Sequence, residues 1–145
     1  MTTDTRHYDP TNIFARILRG ELPAERLCED DDTLALLDIM PRSDGHALVI
    51  PKMPARNMLD ATPAQLAACL RTVQRVARAQ IIAFNATGTT VQQFNEAAGG
   101  QVVFHLHYHV MPRHDGVPLR PPASFKAEAQ ALREHAARIR AVLKS

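Results

Sequence analysis

Between Phe104 and Val110 the chain alternates apolar residues with histidine without a break: Phe104-His105-Leu106-His107-Tyr108-His109-Val110. A period of two is the mark of a β-strand, whose successive side chains point to opposite faces. The pattern predicts a strand over residues 102–111, ended by Pro112. One face of it is apolar and must be packed. The other carries three imidazoles in a row, and any fold open to this chain has to find a use for them.

A metal centre is the first use to weigh. Strand residues rise about 3.3 Å each, which sets His105 and His109 about 13 Å apart. Zinc needs its nitrogens at about 2.0–2.1 Å in a tetrahedral shell. Adjacent members such as His105 and His107 could share an ion, but the whole row could not, and no acidic ligand triplet lies near it in the sequence. A solvent-facing strand that happens to be rich in histidine is the bland alternative. Against it, three of the chain's seven histidines fall within five residues. There remains nucleophilic and acid–base chemistry along an extended anionic substrate. Neutral imidazole attacks phosphorus near neutral pH, and its protonated form donates to phosphate oxygens. Such an attack requires the ring to keep one tautomer, its second nitrogen donating elsewhere, for example to a main-chain carbonyl. Clustered rings also discourage one another's protonation.

The rest of the chain predicts an antiparallel sheet with helices packed on it, an α+β architecture. Residues 1–10 read as a loose polar lead-in. Ile13, Phe14, Ile17 and Leu18 recur with helical spacing before Gly20, a helix stop. Strands are expected over 26–29 and 33–39, around the solvated acidic tip Asp30-Asp31-Asp32. Pro41 to Gly45 has turn chemistry, and 46–51 reads as a third strand. Thr62, Pro63 and Gln65 form a capping box at the start of a helix running to about residue 84. Its apolar stripe is Leu66, Cys69, Leu70, Val73, Val76, Ala77 and Ile81. A fourth strand is expected over 89–95, a tight connection over 97–100, and a last helix over 124–143. Ser124 would cap that helix, with Phe125, Ala129, Leu132, Ala136, Ile139 and Leu143 on its apolar face.

At 145 residues the chain suits one domain, spanning 1–145. A net charge of +2 gives no case for nucleic acid or an anionic membrane, and two Tyr, five Phe and no Trp offer little for base stacking. Cys28 and Cys69 form no C-x-x-C pair and fit a reducing cytosol, with Cys69 a buried thiol. No apolar signal core opens the sequence, so the expected address is the cytoplasm.

His105-Leu106-His107-Tyr108-His109-Val110-Met111 resembles the His-φ-His-φ-His-φ-φ signature of the histidine triad (HIT) family, φ being an apolar residue. The likeness extends through Ala35-Leu36-Leu37-Asp38-Ile39-Met40-Pro41, Gly45-His46-Ala47-Leu48-Val49-Ile50-Pro51-Lys52 and Asn95 to Gly100-Gln101, roughly residues 12–115. The resemblance implies a HIT-like fold: a five-stranded antiparallel sheet, a long central helix and a C-terminal helix. It implies a homodimer and a purine-nucleotide substrate, with no cofactor. It makes His107 the nucleophile toward the α-phosphorus, through a nucleotidyl-histidine that water then hydrolyses. His109 would contact the phosphate and the bridging or leaving atom. His105 would support His107 chiefly through its main-chain carbonyl, and His46 would belong to the same site. Asp38 would grip the ribose hydroxyls, Ile39 would line the purine pocket with Phe14 and Ile17 as helpers, and Asn95, Gly100 and Gln101 would hold the phosphate end.

From local context alone Asp38 is a strand-end residue, Asn95 a turn residue and His46 a core histidine; the resemblance reverses those readings. His7, His114 and His135 read as surface or loop residues. One departure matters: many relatives carry Ser or Thr after the Gly-Gln pair, whereas here Val102 offers no hydroxyl. The cysteine pair that binds zinc in some relatives is also missing, so no metal is carried over. The expectation is a hydrolase of adenosine phosphoramidates, acyl-adenylates or dinucleoside polyphosphates. The alternatives are a non-catalytic nucleotide sensor or interaction protein on the same fold, favoured by Val102, and, more distantly, a metal-binding strand.

Overall fold

The computed structural model describes residues 8–144. Five strands form one antiparallel sheet: β1 (Arg26–Glu29), β2 (Thr33–Leu37), β3 (Ala47–Pro51), β4 (Gly88–Gln92) and β5 (Tyr108–Arg113), in spatial order β1-β2-β3-β5-β4. Helix α1 (Ile13–Leu18) lies against one face, and α2 (Pro63–Phe84) and α3 (Ala129–Leu143) cover the other. The architecture is α+β, as the alternation and capping signals predict. No helix among the described residues is long and apolar enough to cross a membrane.

Alternation on β2, β3 and β5 sorts the core into two layers. Ala35, Leu37, Ala47, Val49, Tyr108 and Val110 face the long helices and pack on Cys69, Val73, Val76, Ala79, Ala136 and Ile139. Leu34, Leu36, Leu48 and Ile50 face the other way and pack on Phe14 and Ile17. The strand partner of Leu48 is His109, so the histidine projects on the α1 side. Helix α2 starts on the expected capping box: Thr62 Oγ1 accepts from the Gln65 amide at 3.1 Å, and Gln65 Oε1 accepts from the Thr62 amide at 2.8 Å. Its buried stripe includes two polar residues that an apolar pattern cannot register. Thr72 meets the Thr33 hydroxyl at 2.6 Å, and the Gln80 amide donates to the carbonyls of Gly45 and Val110. Leu70 and Ile81, expected inside, are exposed on the flank of the helix. Gly45 has a φ of +85°, and a Cβ there would stand 2.4 Å from the Phe84 ring, so the turn entering β3 demands glycine twice over.

The histidine strand departs most from expectation. β5 begins at Tyr108, and residues 102–107 are irregular. Continuing the β3–β5 register would set Pro51 opposite Leu106, and Pro51 has no N–H for the ladder. The Leu106 amide donates instead to the Ala55 carbonyl at 2.8 Å, so the chain leaves the sheet. At its other end β5 runs through Pro112, because past Ala47 its ladder partner is β4 alone and a missing donor is tolerated. β4 stops at Gln92 for the same reason that β5 starts late: its partner has left. Gln93 and Asn95 then bond each other's side chains reciprocally at 2.9 and 3.0 Å.

The last helix starts at Ala129 rather than at 124. Ser124 donates its hydroxyl to the Pro121 carbonyl, and residues 120–127 are tied to the β2–β3 turn by Arg120 N–H to Arg42 O and Ala127 N–H to Ile39 O. Phe125 is outside the helix and stacks under the Arg120 guanidinium at 4.7 Å. Of the lead-in, Tyr8 to Pro10 are placed against the body of the protein, and His7 lies outside the described residues. His114 follows β5 and bonds the Phe84 carbonyl; His135 is half-buried on α3, edge-on to the Phe84 ring at 5.3 Å. Cys69 is buried, which pushes its thiol up to about 12, and both cysteines are free.

Candidate active site

The main chain sets the tautomers of His46, His105 and His107, and His46 sets that of His109. His107 Nδ1 lies 2.7 Å from the His105 carbonyl; a carbonyl can only accept, so Nδ1 carries the proton and Nε2 keeps its lone pair. His105 Nε2 donates to the Pro51 carbonyl at 2.9 Å, which leaves Nδ1 to accept from the Tyr8 hydroxyl at 2.6 Å. His46 Nδ1 accepts the Arg42 amide at 3.0 Å, so its Nε2 bears the proton and donates to His109 Nδ1 at 2.9 Å. His109 must then hold its own proton on Nε2. A nitrogen lone pair on His107 is therefore set beside an N–H on His109, in rings 5.0 Å apart.

Burial keeps these rings neutral. His46 is held down at about 3, His105 at about 4 and His109 at about 4, in each case chiefly because burial disfavours the charged ring; His107 is lowered for the same reason. Neighbouring positive groups add to the effect at His46 and His109, Arg42 among them. Neutral imidazole is the nucleophilic form.

Asp38 closes the site from the end of β2. Its amide makes the last bond across the turn, to the His46 carbonyl, and its Oδ1 accepts from the Met40 amide, bending the chain out of the sheet two residues sooner than alternation suggests. Oδ2 faces the rings, 3.6 Å from His46 Nε2 and 4.0 Å from His109 Nδ1. Burial raises this carboxyl's pKa. On the other side, Phe14 stands edge-on to His107 at 4.9 Å, and Phe94 edge-on to His109 at 5.7 Å. Phe14 and Ile17 are buried in the second core layer, while Ile39 is 53% exposed beside Asp38.

The loop before the triad is a polar knot. Arg56 grips Glu96 with Nε and Nη2 at 2.8 and 2.9 Å, and Asn57 bridges Glu96 and Gln101. The Gln101 side chain is wholly used inside this knot: Oε1 accepts from Asn57 and the Glu96 amide, and Nε2 donates to the carbonyls of Arg56 and Val103. The amides of Gly100 and Gln101 donate to Ala97 and Glu96. Asn95 is engaged by Gln93 and the Met58 amide. Gly100, at φ +99°, lies where a Cβ would come within 3.3 Å of the Phe94 ring. These residues shape the loop around His109, while Val102 projects with 84% of its surface exposed.

The structure brings His46, His105, His107, His109 and Asp38 together and adds Tyr8, Arg42, Arg56, Asn57 and Glu96, which the sequence patterns do not single out. Tyr8 was visible as an aromatic stranded in a polar lead-in. The others sit in segments that turn chemistry already accounts for.

A mixed sheet-and-helix body whose α1-side face presents neutral, tautomer-fixed imidazoles beside a carboxylate defines a histidine-site α+β protein. The chain belongs to the HIT domain family, whose profile matches residues 19–116; this is a family of nucleotide-binding domains, commonly nucleotide hydrolases. Over 101 residues it is 39% identical to the adenylylsulfatase HINT3 of Arabidopsis thaliana, which covers 70% of this chain and 51% of that one, so this chain spans about half that relative's length. Among solved structures, the Hit-like protein involved in cell-cycle regulation from Bartonella henselae is 47% identical, with a TM-score of 0.91 over 94% of this chain and 99% of its own. A zinc-bound histidine triad family protein from Mycobacterium smegmatis is 35% identical, with a TM-score of 0.81 over 92% and 94%.

Zinc in that relative prompts a test of the donors here. Asp38, His46 and His109 bring ligand atoms within 4.8 Å of one another. The Arg42 amide, however, takes the lone pair on His46 Nδ1 and so keeps the proton on Nε2, the nitrogen that would have to ligate. Binding there would turn two donors onto each other, so the donor set does not fit a metal.

Proposed function

We propose that the chain is a nucleotide hydrolase in which His107 Nε2 attacks the α-phosphorus of an adenosine phosphoramidate, acyl-adenylate or dinucleoside polyphosphate. The observation that carries this is the 2.7 Å bond from His107 Nδ1 to the His105 carbonyl, which aims a neutral lone pair out of the ring on its far side. As attack proceeds the ring becomes cationic, and the same carbonyl stabilises it. The Nε2–P bond forms while the bond from phosphorus to the leaving group breaks. His109 Nε2–H lies beside the reacting centre as the donor to the leaving atom or a phosphate oxygen. Water then adds to phosphorus, returning the electron pair to Nε2 and releasing the nucleoside monophosphate.

Among the described residues Asp38 has no cation to satisfy its Oδ2, since both facing imidazoles are neutral, and ribose hydroxyls are the donors that suit it. Ile39, exposed beside Asp38, offers apolar surface for the base, with Phe14 packed edge-on behind His107. Asn95, Gly100 and Gln101 build the phosphate loop, and the next amide, that of Val102, has no acceptor among the described residues. β4 is a free sheet edge, and Leu70 and Ile81 lie exposed on α2, which supports a homodimer through the sheet edge and that helix; sedimentation as a monomer would remove that part of the reading. The free thiols suit a cytoplasmic setting.

Incubation with adenosine 5′-phosphoramidate is the test. The chain is expected to release AMP and to carry an adenylyl group on His107 when turnover is stopped by alkaline denaturant, in which a P–N bond survives, and His107→Ala is expected to lose turnover about a thousandfold or more while still binding AMP. Undiminished turnover by His107→Ala would sink the mechanism. The second reading, a nucleotide sensor, draws on Val102, whose exposed isopropyl group replaces a hydroxyl at the loop. It predicts AMP binding with neither product nor adduct.

A further inference from the structure

Arg42 serves the site with its main chain, through the bond to His46, but its side chain has no part in the scheme above. The guanidinium runs the other way. Nε donates to the Arg120 carbonyl at 2.8 Å, and Nη1 lies 3.4 Å from Gln92 Oε1. Gln92 is the cross-strand partner of His109, so the two project side by side on the α1 face of the sheet. The Arg42 charge is therefore brought to the β4 flank of His109. The site then has an axis: apolar Phe14, then His107, then His109, then a guanidinium.

That guanidinium is half-buried and has no carboxylate within ion-pair range among the described residues, whereas Arg120 next to it is paired with Asp44 at 3.2 Å and stacked on Phe125. A partly desolvated charge without a counterion costs stability and is met chiefly where an anion is to be received. Nη2 and one Nη1 hydrogen are left to donate. The α-phosphate already has His107, His109 and the loop ahead of them, and the base lies toward Phe14. What reaches the Arg42 side is the group on the far side of the scissile bond.

We propose that Arg42, braced by Gln92 and the Arg120 carbonyl, is a leaving-group subsite that selects nucleotide derivatives whose leaving group carries anionic sulfate or phosphate oxygens over those that lose a neutral amine. The inference rests on His107 being the nucleophile. The chemistry gives the two kinds of substrate different needs. When the P–O bond to a sulfate or phosphate breaks, the electron pair departs on an oxyanion that needs positive charge nearby rather than a proton. When a P–N bond breaks, the electron pair departs on a nitrogen that leaves as a neutral amine once water has protonated it, steered by a hydrogen bond from His109 Nε2–H, and a cation beside it contributes little. In both cases water completes the reaction by displacing His107 from phosphorus.

The test compares wild type, Arg42→Gln and Arg42→Lys on adenosine 5′-phosphosulfate, diadenosine triphosphate and adenosine 5′-phosphoramidate. All variants keep the residue 42 amide and hence the His46 tautomer. Arg42→Gln is expected to lower kcat/KM about 10- to 100-fold on the two anionic substrates, the worth of one charge-assisted hydrogen bond, while the phosphoramidate changes less than about threefold; Arg42→Lys should recover part of the loss. A loss confined to phosphosulfate or to the triphosphate supports the subsite and narrows it to that anion. Equal losses on all three substrates overturn it. Should Arg42→Gln fail to fold, Gln92→Leu, which removes the brace, is expected to show the same substrate bias more weakly. If wild type turns over none of the three, the hydrolase reading fails separately, and calorimetry with ADP and AMP then decides the subsite. Wild type should prefer ADP by about tenfold and Arg42→Gln should lose that preference; an unchanged ratio overturns the proposal.

Discussion

The two faces of the sheet are held by different physics. Toward α2 and α3 the contacts are almost all carbon on carbon, from Ala35, Val49 and Val110 to Val76 and Ile139, and their strength scales with buried area and is indifferent to direction. Toward α1 the face begins as Leu34, Leu36, Leu48 and Ile50 and ends in a chain of hydrogen bonds: Arg42 amide to His46, His46 to His109, His107 to a carbonyl, Tyr8 to His105 to Pro51. There direction is everything, because one reversed ring would swap a lone pair for a proton. One face carries stability and the other carries orientation, and perturbing each should separate the two.

Ile139→Ala, on the area-driven face, should cost the most stability, about 2–5 kcal/mol, while leaving kcat per folded molecule unchanged; a urea titration alongside an activity assay checks both. Comparable losses in kcat would break the division. Tyr8→Phe should do the reverse. It removes the one hydroxyl that bonds His105 Nδ1 and leaves a buried acceptor unmet, so kcat should fall about 3- to 10-fold with KM little changed, the scale of one hydrogen bond. If KM rises and kcat holds, Tyr8 acts on binding and not on ring orientation.

Acidification gives a smaller effect with a definite sign. His46 and His105 sit at about 3 and about 4, below the 6.5 of a free imidazole, because burial disfavours the charged ring. Between about 6.5 and about 4 the unfolded chain takes up protons that the folded chain refuses, so stability must fall as pH falls through that window. Asp38, whose pKa is raised, opposes the trend near its lower end. The urea midpoint should accordingly be lower near pH 5 than near pH 7, and a flat profile would mean that these rings are not neutral through burial.

The same contrast explains what could be read in advance. Strand β1 and helix α2 were legible to the residue because each rests on local rules: a short run ended by the acidic tip Asp30-Asp31-Asp32 for Arg26–Glu29, and the Thr62-Pro63-Gln65 box with a glycine-free apolar stripe for Pro63–Phe84. The start of β5 was not, since it depends on Pro51, more than fifty residues away, failing to supply a ladder N–H. The last helix starts later than its Ser124 cap signal predicts because Ser124 bonds Pro121 while its neighbours hold the β2–β3 turn. In the site, the residue types were legible and their committed bonds were not. Gln101 reads as a ligand contact and serves as the hub of a loop knot, while Tyr8 reads as part of a loose lead-in and holds a buried ring.

The sequence by itself determined the α+β class and the family, because periodicity and motif are local or directly visible in the residues. Only the tertiary structure decided which nitrogen of each imidazole carries its proton, and that a guanidinium stands beside His109. Those depend on donors and acceptors contributed by Tyr8, Arg42, Pro51 and Gln92, and it is the fold that brings such distant positions within bonding distance.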